Sequence, residues 1–375
     1  MSPPAPQHIL MTADTVGGVW TFAMELCAGL GARGTQITLV TMGRSPDDAQ
    51  AAEAAALANV RLVPTTYRLE WMQDGADDVI AADAFLLKLA DEIKPDLVHA
   101  NGYHHAALPF DAPVLLAAHS CVASWWQACK ATPLPAAWSR YSGWVRDAVN
   151  AADTLVAPSH AYLRTFQDLH GRARHARAIW NGRSARGFRP GPKRNIVLAA
   201  GRLWDEAKNI RTLCRAAQGL GVSVALAGET ISPDGDAADL GDIQALGRLD
   251  PATLAHWMGE AAVFAAPARY EPFGLTILEA ALCGCALVLS DIPSLRELWQ
   301  GAATFVHPDD TAGWRRVLQL LTADRAMAAA DGHKARERAR HYRAEHMVQA
   351  YCDAYGALLA PEKPATGHTA LGAAA

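Results

Sequence analysis

The stretch Arg269-Tyr-Glu271-Pro-Phe-Gly-Leu-Thr-Ile-Leu-Glu279-Ala carries the most chemistry of any in the chain. It follows an apolar run of strand length, turns at Pro272 and Gly274, and enters a helix whose first free amides are those of Phe273, Gly274, Leu275 and Thr276. Glu271 then falls in the loop and Glu279 about one turn into the helix, so both carboxylates can border one pocket. Carboxylates accept hydrogen bonds from vicinal hydroxyls, and helix N-terminal amides attract phosphate. A nucleotide sugar would satisfy every group present. The plain alternative is an acidic first turn stabilised by the helix dipole, which leaves the loop position of Glu271 beside a glycine turn unexplained.

Four other segments could take part. Asp14-Thr-Val-Gly-Gly-Val-Trp20 places Gly17 and Gly18 between a strand and a helix, where backbone can pass close to an anionic ligand. It lacks the G-x-G-x-x-G dinucleotide fingerprint, and a tight turn needing glycine explains it equally well. Ala199-Ala-Gly-Arg202-Leu-Trp-Asp-Glu-Ala-Lys208-Asn offers a guanidinium fork and a mobile ammonium able to clamp a diphosphate, unless Asp205 and Glu206 simply pair with them. His119 stands at the exit of an apolar run, with His99, His104 and His105 on the preceding strand and loop. That placement fits either a satisfied structural histidine or a site residue, and the spacing specifies no zinc geometry. Trp125, Trp126, Trp138 and Trp144, four of the chain's 11 tryptophans, follow soon after. They offer an apolar or sugar-binding surface, although Trp138, Tyr141 and Trp144 also recur at helical spacing.

The elements that must position these residues alternate between short apolar runs and longer amphipathic stretches, the pattern of βαβ units around parallel sheets. Strands are expected at 8–13, 36–42, 60–64, 96–100, 113–118 and 154–157, with helices such as 18–33 and 79–93 between them. A second set is expected at 195–200, 223–227, 243–246, 262–266, 286–289 and 304–306. Residues 181–192, rich in Arg, Gly and Pro, read as a connector with a boundary near Gly187. The pattern turns helical from Asp309 to Tyr355. Arg and Lys crowd 334–343, as on a solvated face or one that touches a membrane. In open α/β sheets ligands bind at the carboxyl ends of the strands, which is where all five segments lie.

Composition limits the remaining classes. The 375 residues allow two domains, and 51% hydrophobic against 19% charged residues excludes a disordered chain. No apolar run approaches a membrane span. With 34 Lys and Arg against 38 Asp and Glu, the net charge of −4 gives no global attraction to nucleic acid. The seven cysteines are scattered without metal spacing and read as reduced thiols, and no secretory signal is seen at the start. A cytoplasmic protein is expected, with a disordered tail at 361–375.

At these residues the chain resembles the retaining nucleotide-sugar glycosyltransferases of family 4. The resemblance spans most of the sequence, in the family's order: Gly17-Gly18, His119, Pro158-Ser159, Asn181-Gly182, Arg202 and Lys208, then Glu271-Pro-Phe-Gly with Glu279. It implies an α/β protein with the GT-B fold, two Rossmann-like doubly wound parallel-sheet domains facing an interdomain cleft. Residues 1–186 would form the acceptor-side domain and 187–343 the donor domain, while residues 344–375 would supply a helix returning to the first domain and the tail.

The same resemblance assigns roles. Arg202 and Lys208 would hold the donor diphosphate, the amides of Phe273, Gly274, Leu275 and Thr276 would meet phosphate or sugar, and Glu271 would contact the sugar hydroxyls. Glu279 would take the ribose diol, Gly17 and Gly18 would approach the diphosphate, and His119 would lie by the sugar. Leu246 and Gly247 would contact the base. The implied reaction moves a hexose-type sugar from a nucleotide-diphosphate sugar, with UDP or GDP as carrier, to a small-molecule, lipid or glycan hydroxyl. It needs no cofactor and no metal, because cations and amides stabilise the departing diphosphate, which helps deprotonate the acceptor on the same face. The chain departs from the family where many relatives read Asn-Gly-Val-Asp, having Asn181-Gly-Arg-Ser, and in the lysine loop, Glu206-Ala-Lys208.

Three other readings compete: a metal-dependent transferase using Asp234-Gly-Asp236, a non-catalytic sugar-nucleotide or carbohydrate-binding protein of the same fold, and a nucleotide-sugar epimerase. Two α/β halves speak against the first, and the retained charged residues against the second.

Overall fold

The computed structural model describes residues 6–72, 75–232, 235–243 and 245–360. The expected tail at 361–375, the first five residues and Asp234 lie outside the described residues.

The first half runs β1 (His8–Asp14), α1 (Gly18–Gly31), β2 (Gln36–Met42), α2 (Asp48–Ala55), β3 (Val60–Pro64), α3 (Ala76–Ile93), β4 (Leu97–Ala100) and β5 (Val114–Ala117). It continues through α4 (Val122–Cys129), α5 (Ser139–Ala151), β6 (Thr154–Ala157), α6 (His160–His170) and β7 (Ala176–Ala178). All its strands are parallel, in the order β3-β2-β1-β4-β5-β6-β7.

The second half contains β8 (Arg194–Ala200), α7 (Ile210–Ala217), β9 (Ser223–Ala227), β10 (Ala245–Gly247), α8 (Pro251–Glu260) and β11 (Ala261–Ala266). Then come α9 (Leu275–Leu282), β12 (Ala286–Ser290), α10 (Pro293–Trp299), β13 (Thr304–Val306), α11 (Thr311–Ala323), α12 (Arg325–Ala339) and α13 (Ala344–Leu359). Its six parallel strands lie in the order β10-β9-β8-β11-β12-β13. In both sheets the order reverses direction beside the first strand, β1 or β8, which leaves a crevice at the carboxyl ends there. The Val, Leu, Ile and Ala runs of the central strands are buried on both faces because helices cover both.

Two details differ from expectation. Ala176–Ala178 forms a seventh, edge strand in the first sheet; it is three residues long with an arginine at its centre, too short and polar to read as an apolar run. The strand expected at 243–246 begins and ends later, at Ala245–Gly247.

Residues Met347, Val348, Tyr351, Ala354 and Tyr355 of α13 belong to the hydrophobic core of the first half. Their i, i+1, i+4, i+7, i+8 spacing gives α13 the apolar stripe that packs on α1. The approach is close: a Cβ at Gly29 would fall 2.3 Å from Val348 Cγ2. The chain thus crosses between halves twice, and the crossings touch. Arg183 pairs in parallel with Arg343, and a Cβ at Gly182 would lie 2.4 Å from the Arg343 carbonyl oxygen. No described helix is long and apolar enough to cross a membrane.

Candidate active site

The carboxyl ends of β1, β4 and β5 face those of β8 and β11. Gly17 caps α1 at φ 108°, a backbone region open to glycine at little cost, and a Cβ there would lie 4.0 Å from Arg202 Nη1 in the other half. A Cβ at Gly18 would meet Leu275 Cδ1 at 3.6 Å. The glycine turn of one half therefore rests against the arginine and the helix start of the other.

The charged residues picked out in the sequence are each partnered. Lys208 Nζ donates to Glu271 Oε2 at 2.6 Å, with the lysine 23% and the glutamate 14% exposed. Arg202 Nη2 donates to Asp205 Oδ2 at 2.7 Å, and its guanidinium lies over the Trp204 ring. Asp205 is nearly fully buried. Its Oδ1 accepts from the Ala207 amide at 3.0 Å and from Trp125 Nε1 of the first half, also at 3.0 Å. Burial alone would raise the pKa of Asp205; Arg202, Trp125 and Lys208 outweigh it and hold the carboxyl below its ordinary value. Arg202 thus pairs within its own loop, as a solvated basic loop would, whereas Lys208 reaches across to Glu271.

Helix α9 begins at Gly274, whose φ of 86° and close neighbours Ile277 and Glu271 leave no room for a side chain. Among the described residues no acceptor takes the amides of Leu275 and Thr276, so they point a partial positive charge at the cleft. The Phe273 side chain is buried in the second core against Tyr342, leaving only its backbone to the site. The preceding loop is pinned from both halves: Ser294 Oγ donates to the Glu271 carbonyl at 2.6 Å, and Ser159 Oγ to that of Pro272 at 2.9 Å. Glu297 of α10 accepts from the first two amides of α6, His160 and Ala161, and from Trp180 Nε1. Tyr270 OH bonds Ser124 Oγ at 2.8 Å. The halves are drawn together on both sides of the loop.

In the first half, His119 Nε2 lies 2.6 Å from Asn101 Oδ1. Asn101 Nδ2 donates to the Thr12 carbonyl, which leaves its Oδ1 as an acceptor, so the Nε2 of His119 carries the proton and Nδ1 is the free acceptor. Burial depresses the imidazole to about 4, so it is neutral near pH 7. The other histidines are used structurally. His99 packs among Phe22, Tyr351 and Tyr355, His104 pairs with Asp83, and His105 bonds the Val79 carbonyl.

Leu246 stands apart. It sits in β10, partly buried against the second core and two strand positions, about 10 Å, from β8. Trp138 and Tyr141 pack edge to face, Trp144 lies against His104, and Trp126 lines a surface groove of about 710 Å³ with Lys130, Ser142 and Arg146. Lys130 also pairs with Glu206 in the lysine loop, which places this groove beside the cleft. In the basic stretch, Lys334 pairs with Asp331, Arg340 with Glu337, and Arg338 bonds the Leu298 carbonyl. Asp236 closes a tight turn with Ser232.

Three residues without a sequence-assigned role lie at the site. Asp14, at the end of β1, accepts from the Val16 amide at 3.0 Å, and burial pushes its carboxyl up to about 6 against the pull of that amide and of Arg202. Its strand-end position before the glycine pair was the available signal. Arg183 of the connector donates from Nε to Glu279 Oε1 at 2.9 Å and from Nη1 to Glu25 Oε2 at 2.7 Å. No local pattern connects those three positions.

Residues 16–185 match the family described as Glycosyltransferase Family 4, and residues 194–324 the one described as Glycosyl transferases group 1. Among curated proteins, the chain is 29% identical over 284 residues to a glycogen synthase of Mycobacterium tuberculosis, covering 65% of this chain. It is 29% identical over 281 residues to an alpha-maltose-1-phosphate synthase of the same organism, covering 63% of this chain and 70% of that protein. The match spans 64% of the length of the glycogen synthase. Among solved structures, sucrose-phosphate synthase from Thermosynechococcus elongatus superposes with a TM-score of 0.78 at 20% identity, covering 94% of this chain and 99% of that one. HepE from Anabaena, in complex with UDP-glucose, superposes with a TM-score of 0.76 at 17% identity, covering 93% and 99%.

Proposed function

The chain belongs to the family 4 glycosyltransferases of GT-B fold, and from that premise we propose that it transfers a hexose from a UDP-type nucleotide sugar to a hydroxyl acceptor, with retention of configuration and without a metal. One juxtaposition carries the reading. The Gly17-Gly18 turn lies against Arg202 and the start of α9, while the Lys208 stem passes Gly201 and Glu271 passes Gly274. Two cations, two open amides and a flexible backbone turn thus meet where a diphosphate would lie, with a carboxylate ready for sugar hydroxyls.

In the proposed reaction the bond from the anomeric carbon to the diphosphate oxygen breaks, and the acceptor oxygen bonds to the same face. The acceptor proton passes to the departing phosphate oxygen. Arg202, Lys208 and the amides of Leu275 and Thr276 stabilise the charge that develops there. His119, neutral with Nδ1 free, accepts a hydrogen bond from the sugar rather than supplying charge. UDP is favoured as carrier by the UDP-glucose held by the HepE fold relative. The Trp126 groove, on the first half beside the lysine loop, is the acceptor side.

Thermal unfolding against UDP-, GDP-, ADP- and dTDP-glucose, with EDTA present, tests the donor, because a ligand that binds only the folded state raises its stability. Stabilisation by UDP-glucose, and an α-linked product by NMR from the α-linked donor, are expected. No stabilisation by any of the four would refute the donor site, and loss of transfer in EDTA would refute the metal-free mechanism.

A further inference from the structure

We propose that Arg183 is a positioning residue for Glu279: it ties down one carboxylate oxygen so that the other is presented to the ribose diol of the donor. The proposal rests on the donor reading above.

The geometry is that of a buried triad drawn from three parts of the chain. Arg183 comes from the connector, Glu25 from α1 and Glu279 from α9, and their side chains are 18%, 11% and 9% exposed. The guanidinium spends Nε on Glu279 Oε1 and Nη1 on Glu25 Oε2, and lies over the Phe188 ring. Its backbone is fixed as well, because the Arg183 amide donates to the Tyr342 carbonyl at 3.0 Å. A planar fork anchored at both ends sets the orientation of the Glu279 carboxylate in a way a flexible ammonium cannot.

Two carboxylates share one cation here, which leaves Glu279 Oε2 without a donor among the described residues. An unpartnered oxygen on a carboxylate that is otherwise largely buried is a standing acceptor, and a diol supplies the missing donors. Burial pushes the Glu279 pKa up, Arg183 pulls it down, and Glu25 adds to the rise. The other titratable group beside it, the Cys283 thiol, is pushed up to about 12 and stays neutral. Without Arg183, Glu279 would protonate more readily and turn freely.

The test compares UDP with 2′,3′-dideoxy-UDP, which lacks the diol, by calorimetry on the full chain between about pH 6 and 8.5. Wild type should prefer UDP. Arg183→Met should erase about tenfold or more of that preference, most at the acid end, while leaving the affinity for the dideoxy compound unchanged. Arg183→Lys should recover only part of it. A preference that survives Arg183→Met, or equal weakening of both ligands, overturns the proposal. A wild-type protein that binds both ligands equally overturns the assignment of the diol to Glu279 itself, and the proposal with it. Should Arg183→Met not fold, Glu25→Gln serves: removing that charge should lower the pH at which the preference for UDP is lost, and an unmoved pH overturns the proposal.

Discussion

Replacing Glu271 by glutamine should tighten the binding of UDP while slowing transfer. In the donor-free protein Lys208 is held by the Glu271 carboxylate at 2.6 Å, and a diphosphate must compete for the same ammonium. Two unit charges about 4 Å apart attract by about 4 kcal/mol at an effective dielectric near 20, but this pair is partly solvated and each side chain gives up rotamer freedom to form it. A net of about 1–2 kcal/mol is reasonable. Glutamine keeps the shape, loses the charge and releases Lys208, so UDP affinity should rise about 5- to 30-fold. The sugar hydroxyls meanwhile lose a charged acceptor, worth about 1.5–3 kcal/mol, which should lower kcat about 10- to 150-fold. Titration calorimetry with UDP and initial-rate kinetics with UDP-glucose separate the two effects. Lys208→Met is the control and should weaken UDP binding. If the glutamine variant binds UDP no tighter than wild type, the pair does not compete with the diphosphate, and the placement of the phosphates beside Lys208 is wrong.

Asp14, pushed by burial from 3.8 to about 6, should make the folded state lose stability as pH rises between those values, because ionisation is penalised only in the folded protein. Asp14→Asn should therefore unfold at higher urea than wild type at pH 7.5, by at most about 3 kcal/mol, with the gap shrinking toward pH 4; parallel stability curves would refute this. The neighbouring tryptophans should separate in effect, since Trp125 Nε1 bonds Asp205 across the halves while Trp126 lines the groove. Trp125→Phe should cost about 1–3 kcal/mol of stability by leaving a buried acceptor short. Trp126→Ala should instead raise the acceptor KM about 5- to 30-fold, and the same response from both variants would refute the division.

The two α/β halves were legible because parallel strands buried on both faces are short apolar runs, and the amphipathic stretches between them are long enough to cross the sheet. Recognition failed where that signal fades, at the three-residue edge strand Ala176–Ala178, and slipped at Ala245–Gly247, where glycine and a register shift blur the end. The candidate site residues were singled out where local rules place them: Gly17, His119, Arg202 and Glu271 stand in loops that follow strands, and Leu275 and Thr276 open a helix. Asp14 opens the glycine segment and obeys the same rule, but the glycine pair after it took the role, and the structure makes it the last residue of β1. Arg183 obeyed none. Its partners are 96 and 158 residues away in sequence, and its meaning exists only once α1, α9 and the connector converge.

The partners that the structure gives Arg202, Lys208 and Glu279 bear on how the two sides of the cleft are coupled. Each is neutralised internally in the donor-free chain, so binding exchanges one set of ion pairs for another instead of filling a cavity of bare charge. Asp205 is where the exchange reaches the other half. Its Oδ2 holds Arg202, its Oδ1 holds Trp125, and it is too buried for water to replace either partner readily. When a diphosphate draws on Arg202, the Asp205 carboxylate must lean more heavily on Trp125 and on the Ala207 amide. Trp125 lies in α4 next to Trp126, whose ring lines the groove on the acceptor side. On the proposed reading, a donor that engages Arg202 would tighten the Trp125–Asp205 bond, and acceptor binding at the Trp126 groove should then be stronger with the donor in place. Trp125→Phe removes the Asp205 bond while leaving Arg202 and the groove-lining Trp126 in place, so acceptor affinity measured with and without UDP should differ in wild type and converge in the variant. Convergence in wild type itself would show that Asp205 anchors the two halves and carries nothing between them.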